Sequence, residues 1–344
     1  MVRIGYALSS EETRPRDLVR NAALAEQAGF GFALISDHFH PWTNTQGQSP
    51  FVWSVIGGIA EATSRLEIGT GVTCPLIRIH PAIIAQAAAT AGAMLEGRFF
   101  LGVGTGENLN EHITGNRWPD WDVRARMLEE AVEVIRDLWR GEVTSHEGRF
   151  YTVENARIYT LPEHPVPIHV AASGPRSVAI ASKLGDGLIS TAPDRKIIEA
   201  FDGSNGRRGR PKYGQLTVCW GADEAEARKT ALKFWPTAAI PGESGQELPN
   251  PIHFEQLAKI VTEEMIGEQV VCGPDIDRHA EAIQKYVDAG FDHVYVHQVG
   301  PDQKGFLEAY ARDVLPRFED RAAAGVGSDG ATHATGSAAA GAAR

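Results

Sequence analysis

The sequence predicts an α/β fold, a (β/α)8 TIM barrel with insertions between its strands, and three observations support this. The chain has 344 residues, which suits one barrel of roughly 250 residues with added loops. Short apolar runs alternate with longer amphipathic stretches, as parallel strands joined by crossover helices require. Eight of the apolar runs have strand character. We therefore expect one barrel domain over residues 1–320.

The first half of the chain shows this alternation most clearly. Four strands are predicted, at residues 3–7, 32–36, 66–72 and 99–103. A helix at residues 15–28 follows the first strand and ends at Gly29, which suits the left-handed turn after a helix. A helix at residues 82–95, ended by Gly97, connects the third strand to the fourth.

The second half contains insertions. A helix at residues 124–139 leads into residues 143–159, where Gly148 separates two β-rich stretches and indicates a hairpin. Four more strands are predicted, at residues 166–171, 187–190, 215–220 and 293–297. The long segment 221–290 includes a Pro- and Gly-rich stretch, 236–251, which we expect to cover the barrel mouth as a lid.

Composition and charge exclude several classes of partner. The net charge of -11 argues against nucleic acid, because binding to phosphates requires a basic face. Three scattered cysteines favour neither disulfides nor a metal site and suit a reducing compartment. No apolar run approaches the roughly 20 residues of a membrane span, so we expect a cytoplasmic protein. The Ala- and Gly-rich residues 321–344 predict a disordered tail.

Four segments at predicted strand ends carry the candidate chemistry, because catalytic groups of such barrels lie at the carboxyl ends of the strands. They are SDHFHPW at 36–42, GVTCP at 71–75, GTGENLN at 104–110 and AASGP at 171–175. The last segment has small residues followed by Pro175, which suits the first position of a helix. It predicts either a phosphate site at a helix N-terminus or an ordinary tight turn.

Each candidate side chain has a functional and a structural interpretation. His38 follows an acid and suits a general base, although an isolated histidine is often structural. Glu107 could be a general acid or a carboxylate stabilised at a helix N-terminus. Trp42 could line a binding site or pack in the hydrophobic core. Asp37, His38 and His40 could hold a metal, but no second ligand cluster appears at another strand end, so we expect none.

Taken together and in order, the motifs SDHFHPW, IGTGVTCP, FLGVGTGENLNE and AASGP resemble the luciferase-like superfamily. The resemblance is to its F420-dependent glucose-6-phosphate dehydrogenase group and runs from about residue 4 to residue 318. It implies a luciferase-like barrel that binds the deazaflavin coenzyme F420 and transfers a hydride from an alcohol-type carbon.

The resemblance implies roles for five side chains near the reacting atoms. His38 corresponds to the active-site base, and Glu107 to the acid that protonates the deazaflavin ring at N1. Trp42 corresponds to an aromatic side chain that contacts the substrate and steadies developing charge. Asp37 would contact the coenzyme, and Glu11 would lie close to the substrate.

The resemblance also implies how the coenzyme is held. The ring would lie over a bulge at Gly71 and Val72, which the family joins by a cis non-proline peptide bond. The polar edge of the ring would lie near Cys74 and Asn110, with Cys74 standing where a threonine is expected. The coenzyme phosphate would bind to the small residues after the fifth strand, namely Ala171, Ala172, Ser173 and Gly174.

The chain departs from the family where the sugar phosphate would bind. The family uses two lysines and an arginine there, and this chain has Asp194, Gln256 and Glu268. The cations that could replace them are Arg195, Lys196 and Lys259. Because a phosphate would be repelled by Asp194 and Glu268, we expect a neutral sugar, a polyol or a secondary alcohol as substrate.

Several alternatives remain at this point. They are an F420-dependent sugar-6-phosphate dehydrogenase, a reductase that uses reduced F420, an FMN-dependent luciferase-like monooxygenase, a non-catalytic coenzyme carrier and a metal-dependent hydrolase. The motifs at 36–42 and 104–111 argue against the monooxygenase, and the presence of both His38 and Glu107 argues against a carrier. The apolar helices after the second and third strands predict a homodimer face.

Overall fold

The computed structural model describes residues 2–203 and 209–318, and its centre is a closed barrel of eight parallel strands. The strands in the described residues are β1 (Arg3–Leu8), β2 (Phe32–Ile35), β3 (Glu67–Thr70), β4 (Phe99–Val103), β5 (Thr144–Glu147), β6 (Thr152–Ala156), β7 (Ile168–Ala171), β8 (Gly187–Ser190), β9 (Lys212–Cys219), β10 (Val271–Cys272) and β11 (His293–Gln298). The barrel order is β1-β2-β3-β4-β7-β8-β9-β11, and β11 pairs with β1 to close it. The predicted TIM barrel is confirmed.

Helices surround the barrel and connect its strands. They are α1 (Pro15–Ala28), α2 (Val52–Ala62), α3 (Pro81–Leu95), α4 (Asn108–Glu111), α5 (Trp121–Leu138), α6 (Pro175–Leu184), α7 (Arg195–Gly203), α8 (Glu224–Phe234), α9 (Ser244–Glu247), α10 (Pro251–Ala258), α11 (Glu263–Gln269), α12 (Ile276–Ala289) and α13 (Gln303–Asp313). Two 3-10 turns lie at His112–Thr114 and Pro236–Ala239. The antiparallel pair β5–β6 is the hairpin predicted around Gly148.

Some element boundaries differ from the prediction. Strand β9 begins at Lys212, three residues before the predicted start at 215, although lysine rarely enters a barrel core. The Lys212 side chain is nearly buried, and its Nζ lies 3.1 Å from Asp202 Oδ2 and 3.8 Å from Asp292 Oδ2. This pairing offsets the cost of burial, and hydropathy along the chain does not reveal it.

Aromatic side chains fill the barrel interior. Phe32, Phe100, Tyr213 and Tyr295 form a cluster with neighbouring aliphatic residues. Gly69 faces Phe100, and a Cβ at this glycine would overlap the phenyl ring. His169 stacks on Phe100 with ring centroids 4.6 Å apart, and burial lowers the pKa of its imidazole to about 3. His169 is therefore a neutral member of the core.

The insertion after β9 reaches over the barrel mouth, as the sequence predicted for residues 236–251. This stretch contains α9, whose residues Gln246 and Glu247 contact Arg124 on α5. Among the described residues, no helix is long and apolar enough to cross a membrane. The tail predicted at 321–344 lies outside the described residues.

Candidate active site

A cavity of about 570 Å³ opens at the carboxyl ends of the barrel strands. This volume lies within the usual range for small-molecule sites. Every barrel strand or the loop after it contributes to the wall, through Glu11, His38, Val72, Glu107, Ser173, Thr191, Thr217 and His297. Closure of the barrel therefore brings residues from both ends of the chain to one site.

His38 lies at the cavity wall between two hydrogen-bond acceptors. Its Nδ1 is 3.1 Å from the carbonyl oxygen of His40, and its Nε2 is 3.3 Å from Glu11 Oε1. Because a carbonyl can only accept, the ring hydrogen is assigned to Nδ1. A second proton, when present, lies between Nε2 and the Glu11 carboxylate. The pair can therefore hold or release one proton at Nε2.

Glu11 is buried and kept ionised by its neighbours. Its Oε2 accepts hydrogen bonds from Ser36 Oγ at 2.6 Å and Ser9 Oγ at 3.1 Å. Burial raises the pKa of the Glu11 carboxyl, but the adjacent charge of His38 and the hydrogen bonds outweigh burial and bring the pKa below its ordinary value. Glu11 is thus a fixed anion that orients the imidazole.

Trp42 completes the wall beside His38. The two rings have centroids 5.2 Å apart, and Phe254 of α10 packs edge-on against the indole, also at 5.2 Å. The insertion therefore supports Trp42, the aromatic side chain that the resemblance places in contact with the substrate.

Asp37 has a different position from the expected coenzyme contact. It is buried and is not among the cavity-lining residues. Its carboxylate accepts hydrogen bonds from Thr73 Oγ1 and Arg78 Nη2, both at 2.8 Å. Asp37 therefore joins the loop after β2 to the loop after β3, and this contact fixes the backbone from which His38 projects.

Asn110 also lies behind the wall and links the two proposed proton-transfer groups. Its Nδ2 donates to Glu107 Oε2 at 3.3 Å, while its Oδ1 accepts from the backbone amides of Phe39 at 2.9 Å and His40 at 3.2 Å. Glu107 itself lines the cavity. Asn110 thus positions Glu107 relative to the loop that carries His38.

Cys74 does not line the cavity, contrary to expectation. It is buried, and burial together with the charge of Glu111 raises the pKa of its thiol well above the ordinary value. The thiol therefore stays protonated at neutral pH, and it packs against Gly106.

Small residues and Val72 form another part of the cavity wall. Gly71, Val72, Ala171, Ala172 and Ser173 line the cavity, and the peptide bond between Gly71 and Val72 is cis, as the resemblance implied.

The predicted phosphate site differs in detail from its sequence interpretation. Gly174 caps α6 and does not line the cavity. The hydroxyl of Ser177 accepts hydrogen bonds from the amides of Ser173 at 3.0 Å and Gly174 at 3.1 Å. These two amides therefore have an internal partner. The Ser177 hydroxyl in turn donates to the carbonyl oxygen of Gly174 at 3.0 Å, so it serves as a helix cap although Ser177 lines the cavity. Ser177 is the third residue of α6, and a serine at this position is a capping signal that can be read from the sequence.

The three residues predicted at the sugar-phosphate positions lie outside the cavity. Asp194, Gln256 and Glu268 are exposed and do not line it. Gln269, directly after Glu268, does line the cavity. Successive side chains of a helix are rotated by about 100° from each other. A correspondence with the family that is displaced by one residue therefore selects the wrong face of the helix.

The cavity wall carries no lysine or arginine within the described residues. The candidate replacements Arg195, Lys196 and Lys259 are exposed and do not line it, and Arg195 donates to the carbonyl of Asp288. The ionisable carboxyl groups of the wall are Glu11 and Glu107. Among residues 2–203 and 209–318, no group of three or more His, Cys, Asp or Glu is arranged to hold a metal ion.

Sequence reasoning missed a second histidine of the wall. His297, in β11, lies 3.2 Å from Glu12 through its Nε2, and Trp235 packs edge-on against its ring at 4.3 Å. The signal was available, because His297 stands near the carboxyl end of the eighth predicted strand.

Comparisons with known proteins find similar sequences over most of the chain. A family model described as luciferase-like monooxygenase matches residues 1–293. The chain is 37% identical over 331 residues to an F420-dependent glucose-6-phosphate dehydrogenase of Microbacterium testaceum, covering 93% of this chain and 98% of the relative. It is 37% identical over 332 residues to a protein of the same name from Beutenbergia cavernae, covering 93% and 98%.

A solved structure is also similar. An F420-dependent secondary alcohol dehydrogenase in complex with an F420-acetone adduct superposes with a TM-score of 0.84 at 30% identity, covering 91% of this chain and 98% of that chain.

Proposed function

Because this chain belongs to the luciferase-like monooxygenase family, we propose that it oxidises a neutral alcohol, with coenzyme F420 as the hydride acceptor. The chain is an F420-dependent oxidoreductase of the kind that acts on alcohol-type donors. The proposal concerns the substrate and the roles of the cavity residues.

The cavity fits a flat ring with a phosphate-bearing tail. Gly71, Gly104 and Gly106 expose backbone along one wall, and a Cβ at Gly106 would overlap Cys74. The N-terminus of α6 lies at the cavity, and the hydroxyl of Ser173 beside it suits a phosphate. These residues, together with Val72, Ala171 and Ala172, would hold the coenzyme. When bound, F420 takes up a hydride at the ring carbon that replaces the flavin nitrogen N5.

His38 accepts the hydroxyl proton of the substrate at Nε2. Before turnover the His38–Glu11 pair must lack its extra proton, so that Nε2 presents a lone pair to the hydroxyl. As the substrate C=O bond forms, the proton moves to Nε2 and the resulting imidazolium is stabilised by the Glu11 carboxylate. The indole of Trp42, with its ring centroid 5.2 Å from that of His38, adds a further favourable contact with this cation.

Glu107 holds the second exchangeable proton of the site. Its carboxyl faces the cavity from the end of β4 and is fixed by the amide of Asn110. It lies on the part of the wall proposed for the coenzyme ring, so a proton on its carboxyl can neutralise charge that develops there.

The absence of lysine and arginine from the described cavity wall carries the proposal for a neutral substrate. A phosphate dianion placed among Glu11 and Glu107 would lose hydration and find no lysine or arginine partner on the described wall. A neutral sugar, a polyol or a secondary alcohol avoids this cost. The relative named a secondary alcohol dehydrogenase supports this choice.

Oxidation of a sugar 6-phosphate is the second candidate, because the relatives at 37% identity carry the name glucose-6-phosphate dehydrogenase. It requires Lys196 or Lys259 to turn into the cavity.

The test begins with titration of the purified protein with F420 and, in parallel, with FMN. Glucose, glucose 6-phosphate and propan-2-ol are then added in turn, and bleaching of the deazaflavin absorbance is followed. We expect F420 binding and bleaching by a neutral alcohol. A preference for glucose 6-phosphate over glucose of about 100-fold in kcat/KM would contradict the neutral substrate. Binding of FMN alone would indicate a flavin monooxygenase.

The direction of the reaction is tested with the same protein. Acetone and reduced F420 measure the reverse reaction. A kcat/KM for acetone higher than that for propan-2-ol in the forward reaction would indicate a reductase.

A further inference from the structure

Two histidines flank strand β1 in matching surroundings. Glu11 and Glu12 follow β1, and β2 and β11 are the two neighbours of β1 in the barrel. Glu11 contacts His38 after β2, and Glu12 contacts His297 of β11. A tryptophan packs against each imidazole, at 5.2 Å for His38 and at 4.3 Å for His297. The proposed mechanism uses the first of these groups and leaves the second without a role.

His297 has a polar atom that lacks a partner. The residue is 1% exposed and belongs to the cavity wall. Its Nε2 lies 3.2 Å from Glu12 Oε2, and its Nδ1 is buried with no hydrogen-bond partner among the described residues. Such atoms are uncommon in folded proteins, and a site that binds a ligand is one place where they occur.

The surroundings of His297 select the kind of group that Nδ1 can bind. With the ring hydrogen on Nε2 and directed to the Glu12 carboxylate, a neutral imidazole presents Nδ1 as an acceptor. A hydroxyl can donate to it. An ionised anionic group has no hydrogen to donate to Nδ1, and no lysine or arginine on the described wall would balance its charge.

We propose that His297 binds a second hydroxyl of the substrate, so that the enzyme acts on a polyol or a free sugar in preference to a simple mono-alcohol. This inference rests on the proposed oxidation of a neutral alcohol. The cavity supports it, because His297 and the proposed base His38 line the same space. Trp42 and Trp235, each packed against one of the two histidines, also line this cavity.

The test compares matched substrates in three variants. Propan-2-ol and propane-1,2-diol differ by one hydroxyl, and glucose extends the series. His297→Leu removes both ring nitrogens, His297→Asn keeps a polar atom near the position of Nδ1, and His297→Gln keeps one near Nε2. Circular dichroism and thermal unfolding establish that each variant is folded before its kinetics are compared.

We expect the wild-type enzyme loaded with F420 to prefer the diol by about tenfold or more in kcat/KM, because a site built for a hydroxyl discriminates against its absence. His297→Leu and His297→Gln should bring this ratio close to one, mainly through KM, and His297→Asn should retain part of the preference. A ratio near one in the wild type, or a ratio that His297→Leu leaves unchanged, overturns the inference while oxidation of a neutral alcohol stands.

A binding measurement separates this inference from failure of the proposed function. Calorimetric titration of the F420-loaded protein with glucose requires no turnover. If the wild type oxidises none of the alcohols, the proposed function fails, and the second-hydroxyl site is still tested by whether His297→Leu weakens glucose binding while His297→Asn restores it. Equal glucose affinity in all variants, or binding of inorganic phosphate that depends on His297, contradicts a site for a neutral hydroxyl.

Discussion

His38 Nε2 lies 3.3 Å from Glu11 Oε1, and the two side chains are 10% and 2% exposed. The contact is shielded from water on the protein side, and the nearby cavity gives a substrate hydroxyl access to the pair. Since the carbonyl of His40 binds the other ring nitrogen, the proton that moves during oxidation is confined to the edge facing Glu11.

The first prediction concerns Glu11. Glu11→Gln keeps the size of the side chain but removes the charge that stabilises protonated His38, so we expect kcat to fall by about 10²-fold or more. Because the lowered pKa of Glu11 makes it an anion at neutral pH, the effect should be present throughout the neutral range. Stopped-flow bleaching of F420 measures it. The same change at exposed Glu61 is the control, and equal rates in the two variants would contradict the role of Glu11.

The second prediction concerns the pH dependence of stability. His169 is neutral in the fold, with its pKa lowered to about 3, and it takes up a proton near pH 6.5 when unfolded. Between these values the unfolded state binds more protons, so stability falls as pH decreases. We expect this residue to remove about 2 kcal/mol of the free energy of unfolding between pH 7 and pH 5.

Urea unfolding of wild type and His169→Phe at the two pH values measures this contribution. The phenyl ring preserves stacking on Phe100 and Tyr213 but cannot titrate. The variant should therefore lose less stability on acidification, whereas the same change at exposed His164 should retain the wild-type dependence. Identical pH dependence in His169→Phe and wild type would show that His169 takes up its proton equally in the folded and unfolded states, which contradicts the prediction.

The third prediction concerns the segment over the cavity mouth. Arg124 is 1% exposed and donates to Gln246 Oε1 at 3.1 Å and Glu247 Oε1 at 3.3 Å, which holds α9 over the mouth. Arg124→Met should loosen α9 and raise KM by about tenfold, since hydrogen bonds to charged groups contribute about 1.5–3 kcal/mol each.

Limited proteolysis should then cleave the variant near residues 240–250 faster than the wild type. Arg126→Met, at an exposed position of the same helix, is the matched control. If Arg124→Met keeps the wild-type KM and resistance to protease, the segment does not depend on Arg124 for its position.

The fourth prediction concerns the homodimer that the apolar helices suggest. Phe51, Ile83 and Met94 lie at one surface groove formed by α2 and α3 and are 54%, 55% and 41% exposed. An apolar surface of this kind is typical of a protein interface. Light scattering should give twice the chain mass for the wild type and a smaller mass for Ile83→Asp. Ile260→Asp, at an exposed residue elsewhere, should remain dimeric, and a monomeric wild type would contradict the prediction.

The sequence by itself determined the order of the eight barrel strands and the end of the barrel where the cavity opens. Apolar periodicity located all eight barrel strands, because each is buried and short. The motifs after the strands also identified His38, Trp42 and Glu107 as residues of the cavity wall. Each follows a barrel strand, and the loops at the carboxyl ends of these strands face the cavity.

Only the tertiary structure decided which polar side chains reach the cavity. Asp37 follows a strand as His38 does, yet it binds Arg78 behind the wall. Glu12 and His297 are 285 residues apart and become partners only when β11 pairs with β1. Local pattern describes the chain one segment at a time, whereas contacts across a closed barrel depend on strand register and on the direction of each side chain.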